Sequence, residues 1–257
     1  MPKSLTDALK GVPLTMCALA AMAAPWSQVQ AGKAIDERRA ADPQGEVEIV
    51  NVSGSVQVDG WDRNEVEVGG TAGDSIDRVE VTGAGNRTSI HVVSHTVHRW
   101  GADGEARLII HVPARSAVTV SLVSADFKTA GVQGDLKLQS VSGSVSGDVG
   151  GDVHASTVSG DLSFKFAAAP AAEFDVQSFS GDIKNCFGPK AAQAHFGPGS
   201  RLQSANGSSH AHVQIATKSG DVRLCTKGSS AAAGAAGGAQ MRVAQAGRSP
   251  LRVPYVY

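Results

Sequence analysis

Apolar and polar residues alternate in short stretches along most of this chain, and a Gly-centred tripeptide breaks the alternation every eight or nine residues. In Leu136-Lys137-Leu138-Gln139 the alternation puts Leu136 and Leu138 on one face of an extended strand. Ser-Gly-Asp or a near variant stands at Ser53-Gly54-Ser55, Ser124-Ala125-Asp126, Gln133-Gly134-Asp135, Ser142-Gly143-Ser144, Gly150-Gly151-Asp152, Ser159-Gly160-Asp161, Ser180-Gly181-Asp182 and Ser219-Gly220-Asp221. In the central run the third residue falls at 126, 135, 144, 152 and 161, in steps of 9, 9, 8 and 9. The residue after it is apolar all eight times: Val56, Phe127, Leu136, Val145, Val153, Leu162, Ile183 and Val222. Three residues before it the chain is again apolar at Val52, Val123, Val132, Val141, Val149, Val158 and Phe179, with Lys218 the exception.

Each unit therefore reads as a short strand and a sharp turn. Gly adopts positive φ readily, and Asp or Ser can bond nearby backbone, so Asp126, Asp135, Ser144, Asp152, Asp161, Asp182 and Asp221 are the candidate turn residues. From Glu46 to Lys227 no helical period is present, while Val, Ile and Thr are plentiful. A unit this short cannot bury an apolar face alone, so successive units must stack. The predicted fold is all-β: a β-solenoid of the single-stranded β-helix type, about two units (~18 residues) to a coil. A β-sandwich also spaces strands at ~8–12 residues. The solenoid is preferred because residue identity, not only spacing, recurs at the turns.

Other stretches divide the chain further. Residues 1–24 carry Lys3 and Lys10, then an apolar, Ala-rich run from Val12 to Ala24, and are read as a secretory signal peptide. The run is too short to span a bilayer, and Met16 before Cys17 argues against a lipidation site. Residues 25–44 are expected to be a flexible leader. Residues 45–123 are β-rich but less regular, with strands such as Glu65–Val68, Arg78–Thr82 and Ala106–Val112 that could run antiparallel and cover the first coil. Residues 124–227 are the repeat region, and 228–257 an Ala/Gly-rich, disordered tail.

The 257 residues are 42% hydrophobic and 18% charged with a net charge of −1, which excludes a wholly disordered chain and gives no electrostatic footprint for nucleic acid. No apolar run has the length of a membrane-spanning helix, so none is expected in the mature chain.

The Ser-Gly-Asp turns, taken with Gly45-Glu46-Val47-Glu48-Ile49, Gly60-Trp61-Asp62 and Val112-Pro113-Ala114, resemble the putative-adhesin β-solenoid family of bacterial envelope proteins, a domain of unknown function. Ser178 to Pro189, with Cys186 inside it, is similar to a cysteine-containing branch. The resemblance spans about Gly45 to Cys225 and implies an exported β-helical protein without catalytic residues or cofactor to carry over. Removal of the signal leaves Cys186 and Cys225, each four residues after a turn Asp. Equivalent positions on adjacent coils lie ~4.7–4.9 Å apart, within reach of a disulfide, so a Cys186–Cys225 bridge is expected. It requires the chain between them, a separation of 39 positions, to form one long coil with an excursion through Pro189 to Ser209. Two small buried thiols are the other reading.

Other chemistry is thinner. A ladder of Asp could hold Ca²⁺, but the Gly-Gly-x-Gly-x-Asp pattern of calcium-binding rolls is missing, and turn capping is the commoner role. His210 and His212 share a strand face, as do His91 and His95, while His98 does not; no metal site is assigned. No Gly-x-Ser-x-Gly elbow or phosphate-binding loop occurs, and no carboxylate pair stands out for sugar chemistry. Trp61 and Trp100 are candidate sugar platforms or packing residues. The expected protein is a non-enzymatic, exported structural or adhesin-like solenoid whose partner is an unknown envelope protein or polysaccharide. It is placed in the periplasm, with secretion or surface association as the variant. A periplasmic polysaccharide-binding or carbohydrate-active protein is the alternative.

Overall fold

The computed structural model describes residues 33–94, 105–193, 199–207 and 211–227, all within the compact unit Ala31–Tyr257. Among these residues every regular element is a strand. In chain order the strands are β1 (Lys33–Trp61), β2 (Glu65–Ala72), β3 (Ile76–Ser94), β4 (Ala106–Pro113), β5 (Ala117–Val132), β6 (Leu136–Ser142), β7 (Val145–Val149), β8 (Val153–Ser159), β9 (Leu162–Phe166), β10 (Ala172–Ser180), β11 (Ile183–Asn185), β12 (Ala192–Gln193), β13 (Ser200–Asn206), β14 (Ala211–Ser219) and β15 (Val222–Thr226). The signal peptide, the Ala/Gly-rich tail, His95, His98, His210 and Trp100 lie outside the described residues.

The strands pair in two parallel ladders. One runs β3–β1–β5–β6–β8–β14–β10 and the other β4–β1–β5–β7–β9–β15–β11. The long strands β1 and β5 serve both ladders because each bends at a turn tripeptide. A repeat unit is thus one strand in the first ladder, a corner, and one strand in the second. Identical register stacks like on like: Val56, Phe127, Val145, Leu162, Val222 and Ile183 follow one another across the second ladder. All six are buried, as are Leu136 and Val153 of the first ladder. Removing each such side chain from water contributes roughly 1.5–3 kcal/mol, which is why the apolar residue after every turn recurs without exception.

Glycine stands at this corner in five of the six units, as Gly54, Gly143, Gly160, Gly220 and Gly181, with Ala125 in the sixth. Gly143 and Gly160 have φ of +117° and +132°, and a Cβ on either would strike a carbonyl oxygen of the adjacent unit, that of Ala125 or of Gly143. The turn aspartates clamp neighbouring units. The Ser144 amide donates to Asp126 Oδ1 at 2.8 Å, Asp221 N–H to Asp161 Oδ1 at 2.9 Å, and Asp182 N–H to Asp221 Oδ1 at 2.9 Å. At the opposite corner Asp152 N–H donates to Asp135 Oδ1 and His212 N–H to Asp152 Oδ1, at 3.1 and 2.9 Å.

Units 117–132, 136–149 and 153–166 occupy successive places. The two ends do not. Strands β14 and β15, last in sequence, lie between β8–β9 and β10–β11. Likewise β1 lies between β3–β4 and β5. The links that make these jumps run antiparallel: β2 on β4 and on residues 33–40 of β1, β13 on β10, and β12 on β13. These links cover the β4 edge at one end and the β10 edge at the other.

Two expectations need correction. Residues 33–44, read as loose leader, are strand; they pair with β2 and bury Ala41. Residues 45–123 are not an antiparallel cover: 46–61 is a full parallel unit, and only β2 runs antiparallel there. The chain from Cys186 to Cys225 makes the expected single coil with an excursion: β12 and β13 turn back first, and β14 and β15 then form the unit.

Candidate interaction surface

The apolar residues three before each turn position divide into two sets. Val132 and Val149 are buried, whereas Val52, Val123, Val141, Val158 and Phe179 are 41, 45, 49, 48 and 63% exposed. Strand parity explains the division. From Leu136 inward-facing residues recur at 138 and 140, so Val141, five residues on, points outward. From Val145 the apolar residue lies four residues on, at Val149, and points inward. The half-unit between them spans eight residues instead of nine. In β5 the spacing is again nine, but the register shifts between Thr129 and Val132, and this irregularity returns Val132 to the core.

From β6 onward the side chains just inside this corner are small and polar, whereas β5 places Leu122 there. Ser140 Oγ donates to the Ser142 carbonyl at 3.2 Å, Thr157 Oγ1 to that of Ser159 at 3.3 Å, and Ser178 Oγ to that of Gly220 at 3.1 Å. These bonds satisfy carbonyls that the bend turns away from the ladder. They hold the corner so that the following Val or Phe stands out from it.

Registry aligns the exposed residues in a ridge ordered Val52, Val123, Val141, Val158, Lys218, Phe179, one from each of six neighbouring units. On one flank lie Val50, Ser121, Gln139, Ser156, Ala216 and Gln177; on the other, Ser53, Ser124, Ser142, Ser159, Ser219 and Ser180. Lys218 is the one charged residue among these eighteen. Charge returns beyond the flanks, at Glu48, Lys137 and Asp175 on one side and Asp126, Asp161, Asp221 and Asp182 on the other. A shallow groove of about 500 Å³ runs beside the ridge between Val50 and Ser156, and a second of about 360 Å³ lies beneath Phe179 and Lys218.

The turn residues themselves form columns, with Asp161, Asp221 and Asp182 adjacent across three units and each donating or accepting through the backbone clamps. No group of three or more His, Cys, Asp or Glu residues disposed to hold a metal ion lies among the described residues. His212 is exposed 3.6 Å from Glu173, and His91 is exposed on β3. The exposed pair of ion contacts from Arg87 to Glu46 and Glu48 knits β3 to β1; its hydrogen bond to Glu48, then the two carboxylate charges, raise the arginine pKa.

Trp61 is a packing residue. His111 stacks on its ring at 4.9 Å, the Arg63 guanidinium sits 4.8 Å from its centroid, and its indole N–H donates to the Glu65 carbonyl at 2.9 Å. These contacts join β4 and the β1–β2 turn to the ring, which also lines a cavity of about 330 Å³ with Pro43, Asn64, Pro113, Arg115 and Gln133. Cys186 and Cys225 form a disulfide with a Cα separation of 4.8 Å, one unit step, beside the pairing of β11 with β15. The ridge could have been found from strand parity, because in a strand without a bulge an apolar residue an odd number of positions from an inward one faces out.

The fold and surface define an all-β repeat protein with a continuous, weakly charged external ridge. The family model described as Toastrack DUF4097 matches residues 43–225, and the chain belongs to that family. A crystal structure described as a putative cell adhesion protein from Clostridium sporogenes has the same fold at 11% identity, with a TM-score of 0.54; the match covers 76% of this chain and all (100%) of that one. A putative adhesin from Bacteroides fragilis, also 11% identical, aligns over 76% of this chain and 97% of its own with a TM-score of 0.31. No curated protein matches in sequence.

Proposed function

We propose that this protein is an exported, non-enzymatic β-solenoid that works as an adhesin-like or structural contact surface of the bacterial envelope, in the periplasm or at the cell surface. The observation that carries the reading is the ridge: six units place five apolar side chains and one lysine outward in register, on a strip with a single charge. Monomeric proteins keep contiguous apolar patches to a few hundred Å², and patches rimmed by polar groups mark interaction sites. The parallel ladders support the solenoid reading, because each unit adds one strand to both. The cell-adhesion description of the Clostridium sporogenes neighbour agrees with a contact role. No helix among the described residues is long and apolar enough to cross a membrane.

The test is saturable binding of the purified protein to fractionated envelope components and polysaccharides, with Val141→Lys/Val158→Lys as the comparison. Retained binding to one fraction, lost by at least tenfold in the double variant, supports the reading. Binding that ignores the ridge substitutions, or turnover of a glycan by the native protein, overturns it.

A further inference from the structure

We infer that the ridge docks a second copy of this chain, in an antiparallel two-fold dimer; the inference rests on the ridge being a contact surface. Three observations select this occupant. The first is pitch. Ridge side chains repeat once per unit, at the ~4.8 Å spacing of paired strands, over six units. Knobs at that spacing interdigitate in register only with another array of the same period, as identical side chains do between paired sheets. A second copy supplies such an array by symmetry.

The second is size. Eighteen residues on the strip, with their charged rim, reach the ~20–30 residues a side of a standard interface. A flat strip of this kind, without a deep pocket for an anchor residue, fits a dissociation constant on the order of 1–100 µM rather than an obligate dimer.

The third is charge, which decides orientation. A two-fold axis parallel to the stack would set Lys218 of one copy against Lys218 of the other. An axis across the stack sets Val141 against Val158, Val52 against Phe179 and Lys218 against Val123. The lysine stem then covers Val123 while its ammonium reaches toward the acidic rim, where Asp126 stands in the same unit as Val123. Only the antiparallel arrangement avoids apposed cations.

Sedimentation equilibrium of the full chain between about 1 and 100 µM, at low and high salt, tests this. A reversible dimer is expected, weakened at least tenfold in Val141→Lys/Val158→Lys and several-fold in Lys218→Glu, which turns an anion toward the acidic rim. Circular dichroism melts within a few degrees of the parent confirm that each variant is folded. A protein monomeric throughout that range overturns the inference, as does a dimer indifferent to either change. The two readings fail separately. Monomeric protein whose envelope binding is lost in the double variant sinks the dimer and spares the contact surface. A ridge-dependent dimer whose envelope binding ignores the same substitutions does the reverse.

Discussion

The centre and the C-terminal third of this molecule are built from the same unit by different routes. From 117 to 166 each new unit lands beside the one before it, so neighbours in space are neighbours in sequence. Beyond 166 the unit 172–185 lands one place too far, and 211–226 fills the gap after β12 and β13 have turned back. The N-terminal end does the same, with 46–61 held between β3–β4 and β5. A parallel stack grown one unit at a time leaves a bare edge at each end. An inserted unit allows the connecting segment to be laid antiparallel across that edge, which blunts it against pairing with another chain. The cost is closure of longer loops before the inserted contacts form. At the C-terminal end a disulfide spans one such loop, 39 residues long, and ties the outermost unit to the inserted one.

The largest effect that separates the two regions is expected from that bond. Cys186→Ser with Cys225→Ser should lower stability by on the order of 3–4 kcal/mol through greater freedom of the unfolded chain. In hydrogen exchange, amides of β10, β11, β14 and β15 should lose protection first, with β5 to β8 following only on global unfolding. Uniform loss over both regions would mean that they unfold as one.

The corner glycines come next. Gly160→Ala must hold an L side chain at positive φ and push its Cβ into the Gly143 carbonyl, a combined cost of at least ~2 kcal/mol in urea unfolding. Gly85 also has positive φ, +69°, but open space around it, so Gly85→Ala should cost only about 1 kcal/mol. Equal costs would show that backbone strain, and not the close approach of units, governs the corner.

Smaller still is the aspartate clamp. Asp161→Ala removes the acceptor of the Asp221 amide, at the junction between the sequential and the inserted unit, and should cost about 1 kcal/mol. Asp161→Asn keeps an oxygen there and relieves repulsion from Asp221, so its melting temperature should stay near the parent's. Last, Val141→Lys should change stability by less than about 0.5 kcal/mol, because the side chain is already half in water, while altering association.

How far these features could be read in advance follows from how local each one is. The apolar residue after every turn marked the core correctly, for example at Phe127 and Leu162, since burial there follows from the two-residue pleat alone. The glycine corners were legible for the same reason. The ridge was not: Val141 and Val149 occupy the same place relative to their turns, and only counting parity from the preceding inward residue separates them. Lys218 was a hint, as the one charged residue at a position otherwise apolar, where a fully buried site would not tolerate it. Residues 33–44 gave no signal, being rich in charge and lacking the turn tripeptide; they become strand by pairing with β2.

Sequence by itself determined the strands of the repeat units, the inward side of most of them and the sharp corners, because pleat parity and the φ freedom of glycine act over a few residues. Tertiary structure decided which unit lies beside which, and with it the ridge order and the adjacency of Cys186 to Cys225. The physical reason is that units are joined by backbone N–H and C=O groups common to all of them, so a strand edge accepts any unit of matching register. The choice among them falls to loop length, end covering and the fit of whole stacked faces.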